Sequence, residues 1–353
     1  MKKIVFILPN LNSGGAERVA INFLRQLDFV KYDVFLVIFD QTTDLLGLIP
    51  EKVKLNNLRT KSTKNSFYPL LKLLRALKPH VVYTTHSRVA SLLMIVKPFT
   101  PSFRHLARMQ STPSLEKKHG EYGFITRFLY AAGFKSADVV IAQTKEMKDD
   151  SVEIFGILPK KIAVLHNPLD TAHIHARLQG ADNPFPTGEI SAVAAGRLSK
   201  EKGFQLIVEA LPDITKKLPN FILHIMGKDQ GEKKHLLKLA ESLGVLGKIK
   251  FHGYVSTPYS FYAHCDLFIL SSYWEGYPNA MLENYYLNTP IVATCCVPVV
   301  EQLIEDGVNG YLCRVGDVAC LAEQVLKSIK LKREMIKNDK YKTTKLDGLI
   351  DEI

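Results

Sequence analysis

The sequence predicts an α/β protein made of two Rossmann-like domains, and three observations lead to this prediction. Short apolar runs of strand-like composition alternate with helical patterns along most of the chain, as in parallel sheets with right-handed crossovers. The alternation begins twice, at residues 3–8 and at residues 190–195, and both strands run into a glycine-bearing loop and a helix. A chain of 353 residues is also long enough to bury two cores.

Composition limits the classes of protein to consider. With 46% hydrophobic and 23% charged residues, the chain is typical of globular rather than disordered proteins. No apolar run approaches the roughly 18 residues of a membrane-spanning helix, and Pro9 ends the first apolar run too early for a signal peptide. Five cysteines without a Cys-x-x-Cys pair favour buried thiols and a reduced, cytoplasmic setting.

The positive charge is concentrated in the first half of the chain. The formal net charge is +11; residues 1–170 contain 25 Lys and Arg against 14 Asp and Glu, whereas residues 171–353 contain 21 of each. A basic half indicates nucleic acid, an anionic membrane or an anionic substrate as the partner. Because no pattern of aromatic residues among basic ones stands out, nucleic acid is disfavoured and the other two are kept.

The first domain is predicted at residues 1–168. Its first strand is followed by a loop ending in Gly14 and Gly15, which allow a ligand to approach the backbone at a helix start. The Gly-x-Gly-x-x-Gly pattern of dinucleotide-binding proteins is absent, so NAD is not expected. Further strands are predicted at residues 33–39, 53–58, 81–85, 104–109, 139–142 and 162–165, and helices at residues 67–77 and 123–132.

Two segments of this domain could contact a lipid or its headgroup. The helix predicted at residues 67–77 has an apolar stripe bordered by Lys72, Arg75 and Lys78. This helix either packs its leucines on the sheet or lies on an anionic bilayer. Residues 96–118 are basic and are predicted to be irregular, and a loop of this kind could receive the diphosphate of a lipid-linked acceptor.

The second domain is predicted at residues 189–335. A polar linker at residues 169–188 precedes it, and the tail at residues 336–353 either crosses back to the first domain or is frayed. Strands are predicted at residues 190–195, 221–226, 249–251 and 291–294, the last within a strand-like run at residues 290–300, and helices at residues 204–211, 232–243 and 318–330.

A basic turn follows the first strand of this domain. Gly196, Arg197 and Lys202 lie between that strand and the next helix, at the edge where open α/β sheets bind ligands. Arginine can hold phosphate oxygens with a fork of donors, and lysine supplies a compact charge. A surface pair of this kind could also be merely solvated, but the flanking glycines favour a phosphate site.

A second loop in this domain combines an anion pocket with two carboxylates. An apolar run ends at Ser271 and is followed by a turn and a helix predicted at residues 280–287, whose first amides lack partners within the helix. Glu275 precedes the turn and Glu283 lies in the first turns of the helix. Because carboxylates repel phosphate, they are expected to accept hydrogen bonds from neutral hydroxyls, such as those of a sugar.

These motifs together resemble those of the retaining nucleotide-sugar glycosyltransferases of family 4. The resemblance consists of Glu275 and Glu283 in a Glu-x7-Glu spacing around an E-G-Y-P-N-A core, the G-R-L…K-G turn, and the G-G-A-E run that begins at Gly14. It implies the GT-B fold, with two Rossmann-like domains facing across a cleft, and a nucleotide-diphosphate sugar as donor. The implied donor-binding residues are Gly14, Gly15, Gly196, Arg197, Lys202, Tyr254, Val255, Glu275, Gly276, Tyr277, Pro278, Asn279, Ala280 and Glu283.

The resemblance also implies catalytic roles and shows one departure. Arg197 and Lys202 would stabilise the departing diphosphate, and Glu275 would hold the transferred sugar. Many members have a histidine where this chain has Gln110. Either Gln110 orients the acceptor, or His86 or His105 takes over, or catalysis depends less on this position; Arg108 is a further acceptor-side candidate.

The sequence therefore predicts a glycosyltransferase that adds a sugar to a lipid-linked glycan in surface polysaccharide, lipopolysaccharide or glycoprotein synthesis. No Asp-x-Asp motif occurs, so neither a metal nor another cofactor is expected. The expected location is cytoplasmic, with peripheral contact to the inner face of the membrane. The alternative is a catalytically silent nucleotide-sugar-binding subunit of a glycan assembly complex.

Overall fold

The structure is a computed structural model that describes residues 1–12, 14–40, 44–60, 62–119, 123–338, 340–341 and 345–351. The described chain divides into two compact units. The first contains residues 1–170 and the C-terminal residues 345–351, and the second begins at Thr171. The predicted first domain ended at residue 168, two residues earlier.

The first unit is built on a parallel sheet of seven described strands in the order β3-β2-β1-β4-β5-β6-β7. The strands are β1 (Lys2–Leu8), β2 (Tyr32–Ile38), β3 (Lys54–Asn57), β4 (Val81–Thr84), β5 (Arg104–Arg108), β6 (Val139–Ala142) and β7 (Ile162–Val164). The helices are α1 (Gly15–Gln26), α2 (Phe67–Leu77), α3 (Ser87–Val96), α4 (Pro113–His119), α5 (Phe124–Ser136) and α6 (Lys145–Phe155).

The central strand β1 shows why this sequence forms a sheet buried on both faces. Residues 4–8 are all fully buried, and such an unbroken apolar run is typical of a parallel strand covered by helices on both sides. Ile4 and Phe6 pack in one apolar cluster with α1, whereas Val5 and Ile7 pack in another with α2 and α3. This alternation follows from the two-residue period of a strand.

The second unit repeats the topology of the first. Its six described strands are all parallel and lie in the order β10-β9-β8-β11-β12-β13. They are β8 (Ile190–Ala195), β9 (Phe221–Met226), β10 (Ile249–Gly253), β11 (Leu267–Leu270), β12 (Ile291–Thr294) and β13 (Gly310–Cys313). The helices are α7 (Thr171–Leu178), α8 (Phe204–Lys217), α9 (Lys233–Ser242), α10 (Tyr259–His264), α11 (Asn279–Tyr286), α12 (Pro298–Leu303) and α13 (Val318–Ser328).

The last described helix, α14 (Leu346–Asp351), belongs to the first unit. Leu346 and Ile350 are buried in the apolar cluster that contains α1 and β1. The Tyr32 hydroxyl donates to Asp351 over 2.5 Å. Burial and this carboxylate raise the pKa of the Tyr32 hydroxyl. The end of the chain is therefore anchored on the unit that begins it.

Several predicted elements differ from the observed ones. The predicted linker contains α7, which buries Ile174 alone and so has little apolar periodicity to detect. Helix α8 continues past Pro212, and the strand-like run at residues 290–300 ends at Thr294 before α12. Residues 96–118 contain β5, which matches the strand predicted at residues 104–109, and most of α4, a helix that was not predicted.

The apolar stripe of α2 faces the interior. Leu70, Leu71 and Leu74 are buried against the sheet in the cluster that contains β1, and Phe67 and Leu77 pack partly against it. The bordering basic residues are exposed. Of the two alternatives for this helix, the structure therefore favours packing on the sheet, and the stripe is not available to a bilayer.

Strand order defines where ligands are expected. In each sheet the strands that follow the first strand in sequence lie on one side of it, and the later strands lie on its other side. The strand order therefore reverses between β1 and β4 and between β8 and β11. Open α/β sheets bind ligands at this switch point, outside the carboxyl ends of the strands. The loops that follow these four strands contain most of the residues singled out in the sequence.

Candidate functional site

The strongest candidate site in the second unit is formed by the loops after β8 and β11. These strands are hydrogen-bonded neighbours, with Leu267 opposite Ala192 and Phe268 opposite Val193. The loop that contains Gly196, Arg197 and Lys202 therefore emerges beside the loop that contains Glu275. About seventy residues of sequence separate the two loops, and the parallel pairing brings them together.

Backbone contacts fix the two loops to each other. Gly203 has the left-handed φ of 58°, and a Cβ at this position would lie 2.2 Å from the Ser271 carbonyl oxygen. The Ser271 hydroxyl donates to the Lys202 carbonyl over 3.0 Å, and the Tyr273 amide donates to the Glu201 carbonyl over 2.8 Å. Glycine is thus required at residue 203 both for its backbone conformation and for this close approach.

At the centre of this site, Lys202 and Glu275 form an ion pair. The Lys202 Nζ lies 2.6 Å from the Glu275 Oε1, and the two side chains are 19% and 8% exposed. The Ser272 hydroxyl donates to the same carboxylate oxygen over 2.8 Å. A Cβ on Gly196 would come within 3.2 Å of the Lys202 stem, so this glycine leaves the lysine its path to the carboxylate.

Arg197 and Glu283 occupy different environments in the second unit. The Arg197 side chain is 54% exposed and makes a long 3.4 Å contact with Glu201. It can therefore turn towards an anion at little cost, because a surface contact of this kind contributes little. Glu283 is buried on α11, between neighbours whose side chains are also buried.

The turn before α11 presents the amides expected of an anion pocket. Gly276 to Pro278 lead into the helix, which begins at Asn279 and continues through Ala280. Tyr277 is buried and anchors the turn in the unit. The Asn279 amide donates back to the Tyr277 carbonyl over 3.0 Å. The amides that follow it in the first turn lack a carbonyl partner within the helix and carry partial positive charge.

The carboxyl ends of β8, β9 and β10 are joined through glycine backbones. The Gly227 amide donates to the Gly253 carbonyl over 2.7 Å, and the Gly196 amide donates to the Met226 carbonyl over 2.9 Å. A Cβ on Gly227 would lie 1.7 Å from the Gly196 carbonyl oxygen. Tyr254 follows this edge and is 37% exposed, with the partly buried Val255 after it.

In the first unit, the corresponding edge contains a carboxylate next to an imidazole. Glu17, in the first turn of α1, is buried, and its Oε1 lies 3.3 Å from the Nε2 of His86 at the start of α3. A Cβ on Gly14 would lie 2.1 Å from the Glu17 carboxylate, and Gly15 begins the helix. Glu17 is the last residue of the G-G-A-E run, and the sequence predicted no role for it.

Gln110 lies at the same edge of this sheet. Its amide nitrogen is 3.5 Å from the hydroxyl of Thr85, the residue before His86. The backbone carbonyl of Gln110 accepts a hydrogen bond from the Gln143 side-chain amide over 3.2 Å. The loops after β4 and β5 therefore hold Gln110 and His86 at neighbouring strand ends.

Two other acceptor-side candidates are core residues. His105 is fully buried in β5, its Nε2 lies 2.9 Å from the Thr84 hydroxyl, and desolvation lowers its pKa to about 3, so the ring is neutral. Arg108 is 1% exposed, and its guanidinium donates to the buried Asn167. Their strand positions bury both side chains in the first unit, and contact of either with an acceptor stays a prediction.

Among the described residues, we looked for disulfides and for metal-binding groups of side chains. All five cysteines are free thiols, and burial raises the pKa of Cys296 to about 12. Within the described ranges, no group of three His, Cys, Asp or Glu side chains is placed to hold a metal ion. Among the described helices, none is long and apolar enough to cross a membrane.

Comparison with known proteins decides the family. The model of Glycosyltransferase Family 4 matches residues 13–173, and the model of Glycosyl transferases group 1 matches residues 177–343. The chain is a glycosyltransferase of the family 4 type, with one of these two models matching each half. The boundary between the two matches falls beside the boundary between the two structural units.

Relatives of this glycosyltransferase include enzymes of glycan synthesis. It is 26% identical to the N-acetylgalactosamine-N,N'-diacetylbacillosaminyl-diphospho-undecaprenol 4-alpha-N-acetylgalactosaminyltransferase of Campylobacter jejuni, over 90% of this chain and 87% of that protein. It is 28% identical to the lipopolysaccharide core biosynthesis glycosyltransferase LpsE of Rhizobium meliloti, over 57% and 55% of the two chains. A match at 28% identity to an uncharacterised glycosyltransferase of Methanocaldococcus jannaschii covers 65% of this chain and 59% of that protein.

Solved structures show the fold of the glycosyltransferase. Anabaena HepE in complex with UDP and glucose superposes with a TM-score of 0.74 at 21% identity, over 95% of this chain and 92% of that one. The lipopolysaccharide outer core galactosyltransferase WaaB superposes with a TM-score of 0.66 at 18% identity, over 96% and 92%. The two parallel Rossmann-like sheets are those of the GT-B fold, as the sequence predicted.

Proposed function

We propose that this glycosyltransferase moves a sugar, with retention of anomeric configuration, from a UDP- or GDP-sugar to a lipid-linked glycan. The observation that carries the proposal is the pair formed by Lys202 and Glu275 at the switch point of the second sheet. One member can hold a phosphate and the other a sugar hydroxyl. A nucleotide-diphosphate sugar presents both groups close together.

The donor would be bound by the second unit. Lys202 and the exposed Arg197 neutralise the diphosphate, and the amides at the start of α11 add partial positive charge without a metal. Glu275 and Glu283 accept hydrogen bonds from hydroxyls of the sugar and the ribose. The base lies against the end of β10, beside Tyr254 and Val255, where backbone groups are presented.

Retention is compatible with the residues around the leaving group. No nucleophilic carboxylate is assigned on the opposite face of the sugar, so we favour attack from the face of the departing diphosphate. The acceptor hydroxyl then passes its proton to the leaving phosphate oxygen as the new glycosidic bond forms and the sugar–phosphate bond breaks. Lys202 stabilises the charge that develops on that oxygen.

The acceptor would be oriented by the first unit. Gln110 can hydrogen-bond an acceptor hydroxyl with an uncharged amide, and His86 lies at the neighbouring strand end, held by Glu17. The lipid-linked acceptor is supported by the relatives, since one is named for a diphospho-undecaprenol substrate and another for lipopolysaccharide core synthesis. A cytoplasmic enzyme at the inner face of the membrane fits such an acceptor.

A donor panel tests this proposal. The protein is incubated with UDP- and GDP-sugars, with and without polyprenyl-diphosphate glycans, and free nucleotide and the anomeric form of the product are measured. We expect one donor to give nucleotide release that rises at least tenfold with acceptor, and an α product from an α donor. Nucleotide binding without release across the panel would favour the catalytically silent subunit, and a β product would contradict retention.

A further inference from the structure

Helix α5 carries an exposed apolar face that neither the core nor the candidate site uses. Phe124, Ile125, Phe128 and Leu129 are 81%, 75%, 66% and 42% exposed. Their spacing places them on one side of the first two turns. Among the described helices, α5 alone exposes four large apolar side chains. Contiguous exposed apolar surface of this kind marks an interaction site.

The opposite side of α5 is firmly packed, so the exposed face is a fixed feature of the fold. A Cβ on Gly133 would lie 2.6 Å from the Ser91 amide nitrogen, which shows how closely α5 approaches α3. The Ser91 hydroxyl donates to the Leu129 carbonyl over 2.9 Å. Phe134 is buried in the cluster under β5 and β6.

Chain direction places this face at the acceptor side of the sheet. Helix α3 starts directly after β4, and α5 ends directly before β6, so both run from the carboxyl edge to the amino edge of the parallel sheet. The start of α5, with its apolar side chains, therefore lies towards the edge that holds His86 and Gln110. A lipid touching α5 would bring its headgroup near that edge.

Charge indicates what kind of surface covers this face. The excess positive charge of the protein lies in residues 1–170. Arg127 is on α5 itself, and the exposed Arg88 is in the first turn of α3, which packs beside α5. With one basic residue on α5 and another on the helix packed beside it, the apolar face has surroundings that favour contact with the headgroup boundary of an anionic bilayer.

We propose that the exposed face of α5 docks this glycosyltransferase on the surface of an anionic lipid bilayer. The inference rests on the proposed lipid-linked acceptor, and it assigns membrane contact to α5 in place of α2. The four apolar side chains insert among the acyl chains, and Arg88 and Arg127 contact anionic headgroups. The acceptor-side edge of the first sheet then faces the plane in which lipid-linked glycans lie.

Vesicle flotation of the full chain tests the proposal. We expect wild type to float with phosphatidylglycerol-containing vesicles at low salt and to remain unbound with phosphatidylcholine alone. The combined variant Phe124→Ser, Ile125→Ser, Phe128→Ser should weaken flotation at least tenfold. Tyr68→Ser on α2 and Met335→Ser in the second unit, at 69% and 74% exposed side chains, are matched controls expected to bind like wild type.

Two further readouts separate the possible failures. Nucleotide affinity and thermal unfolding of the combined variant should equal those of wild type, because its sites are exposed. If wild type does not float, or if the variant floats equally well, the docking surface is wrong. If wild type instead forms a dimer that the variant abolishes, the face is an interface between copies. Flotation without transfer in the donor panel would overturn the proposed function and leave the docking surface standing.

Discussion

The ion pair between Lys202 and Glu275 makes the sharpest prediction about the site. Lys202→Met keeps the length of the stem but removes the charge that lies 2.6 Å from the Glu275 carboxylate. That carboxylate is 8% exposed and, within the described part of the chain, is left with the Ser272 hydroxyl as a donor at 2.8 Å. Leaving a largely buried acceptor short of a partner costs about 1–3 kcal/mol of folding stability. We expect Lys202→Met to lower the free energy of unfolding by about 2 kcal/mol, as measured by denaturant unfolding.

The same substitution should affect catalysis more than stability. Removing one preorganised group that stabilises transition-state charge costs about 10²–10³-fold in rate. We therefore expect kcat for transfer to fall by at least about 100-fold. Donor turnover is measured by nucleotide release with acceptor present, at a temperature where the variant is fully folded.

A double variant separates the structural role from the catalytic one. Lys202→Met with Glu275→Gln removes both charges, and the neutral amide still accepts from Ser272. We expect at least half of the lost stability to return while activity stays at the level of the single variant. If the double variant regains activity together with stability, the pair is structural and the assignment of Lys202 to the leaving group is refuted.

Three further predictions follow from the described contacts. Gly203→Ala should destabilise by about 3 kcal/mol or more, because strain at φ 58° adds to a backbone overlap; Gly244→Ala, at φ 69° with no neighbour within 4 Å, is the control and should cost only the strain. His105 is neutral in the fold with a pKa near 3 and titrates near 6.5 when unfolded, so its contribution is full above pH 6.5 and falls as pH drops. Between pH 7.5 and 5 the free energy of unfolding of the wild type should fall by about 2 kcal/mol because of this histidine, and that of His105→Gln should fall correspondingly less. Equal losses in the two proteins would contradict the burial argument. His86→Asn and Glu17→Gln should each raise the acceptor KM about tenfold while donor affinity is unchanged, and a matching loss of donor affinity would exclude an acceptor role.

The sequence was most informative where local pattern and topology agree. Alternating strands and helices predicted both sheets, and glycine-bearing turns after the first strand of each identified the edge that contains Lys202. The contact of Lys202 with Glu275 depends on strand pairing between distant segments, but it follows once β8 and β11 are neighbours in a parallel sheet. The motifs identified the two loops in the sequence, and the pairing of β8 with β11 places those loops next to each other.

Other features depended on packing that a single sequence does not encode locally. The predicted strands placed His105 inside a strand and His86 just after one, but this alone did not show that the His105 side chain is fully buried. Helix α2 has the stripe of an interfacial helix and buries that stripe, whereas α5 has a weaker pattern and exposes Phe124 and Phe128. Which face of a helix meets the sheet is decided by close contacts such as that of Gly133 with Ser91.

Calorimetric binding with two variants tests the central claim most directly. The claim is that Lys202 holds the diphosphate and Glu275 holds the sugar of one donor. Using the donor found in the panel and its free nucleoside diphosphate, we expect Lys202→Met to weaken binding of both ligands at least tenfold. Glu275→Gln should weaken binding of the nucleotide sugar and leave that of the nucleoside diphosphate within twofold of wild type. Equal effects of Glu275→Gln on both ligands, or none of Lys202→Met on either, would contradict the account.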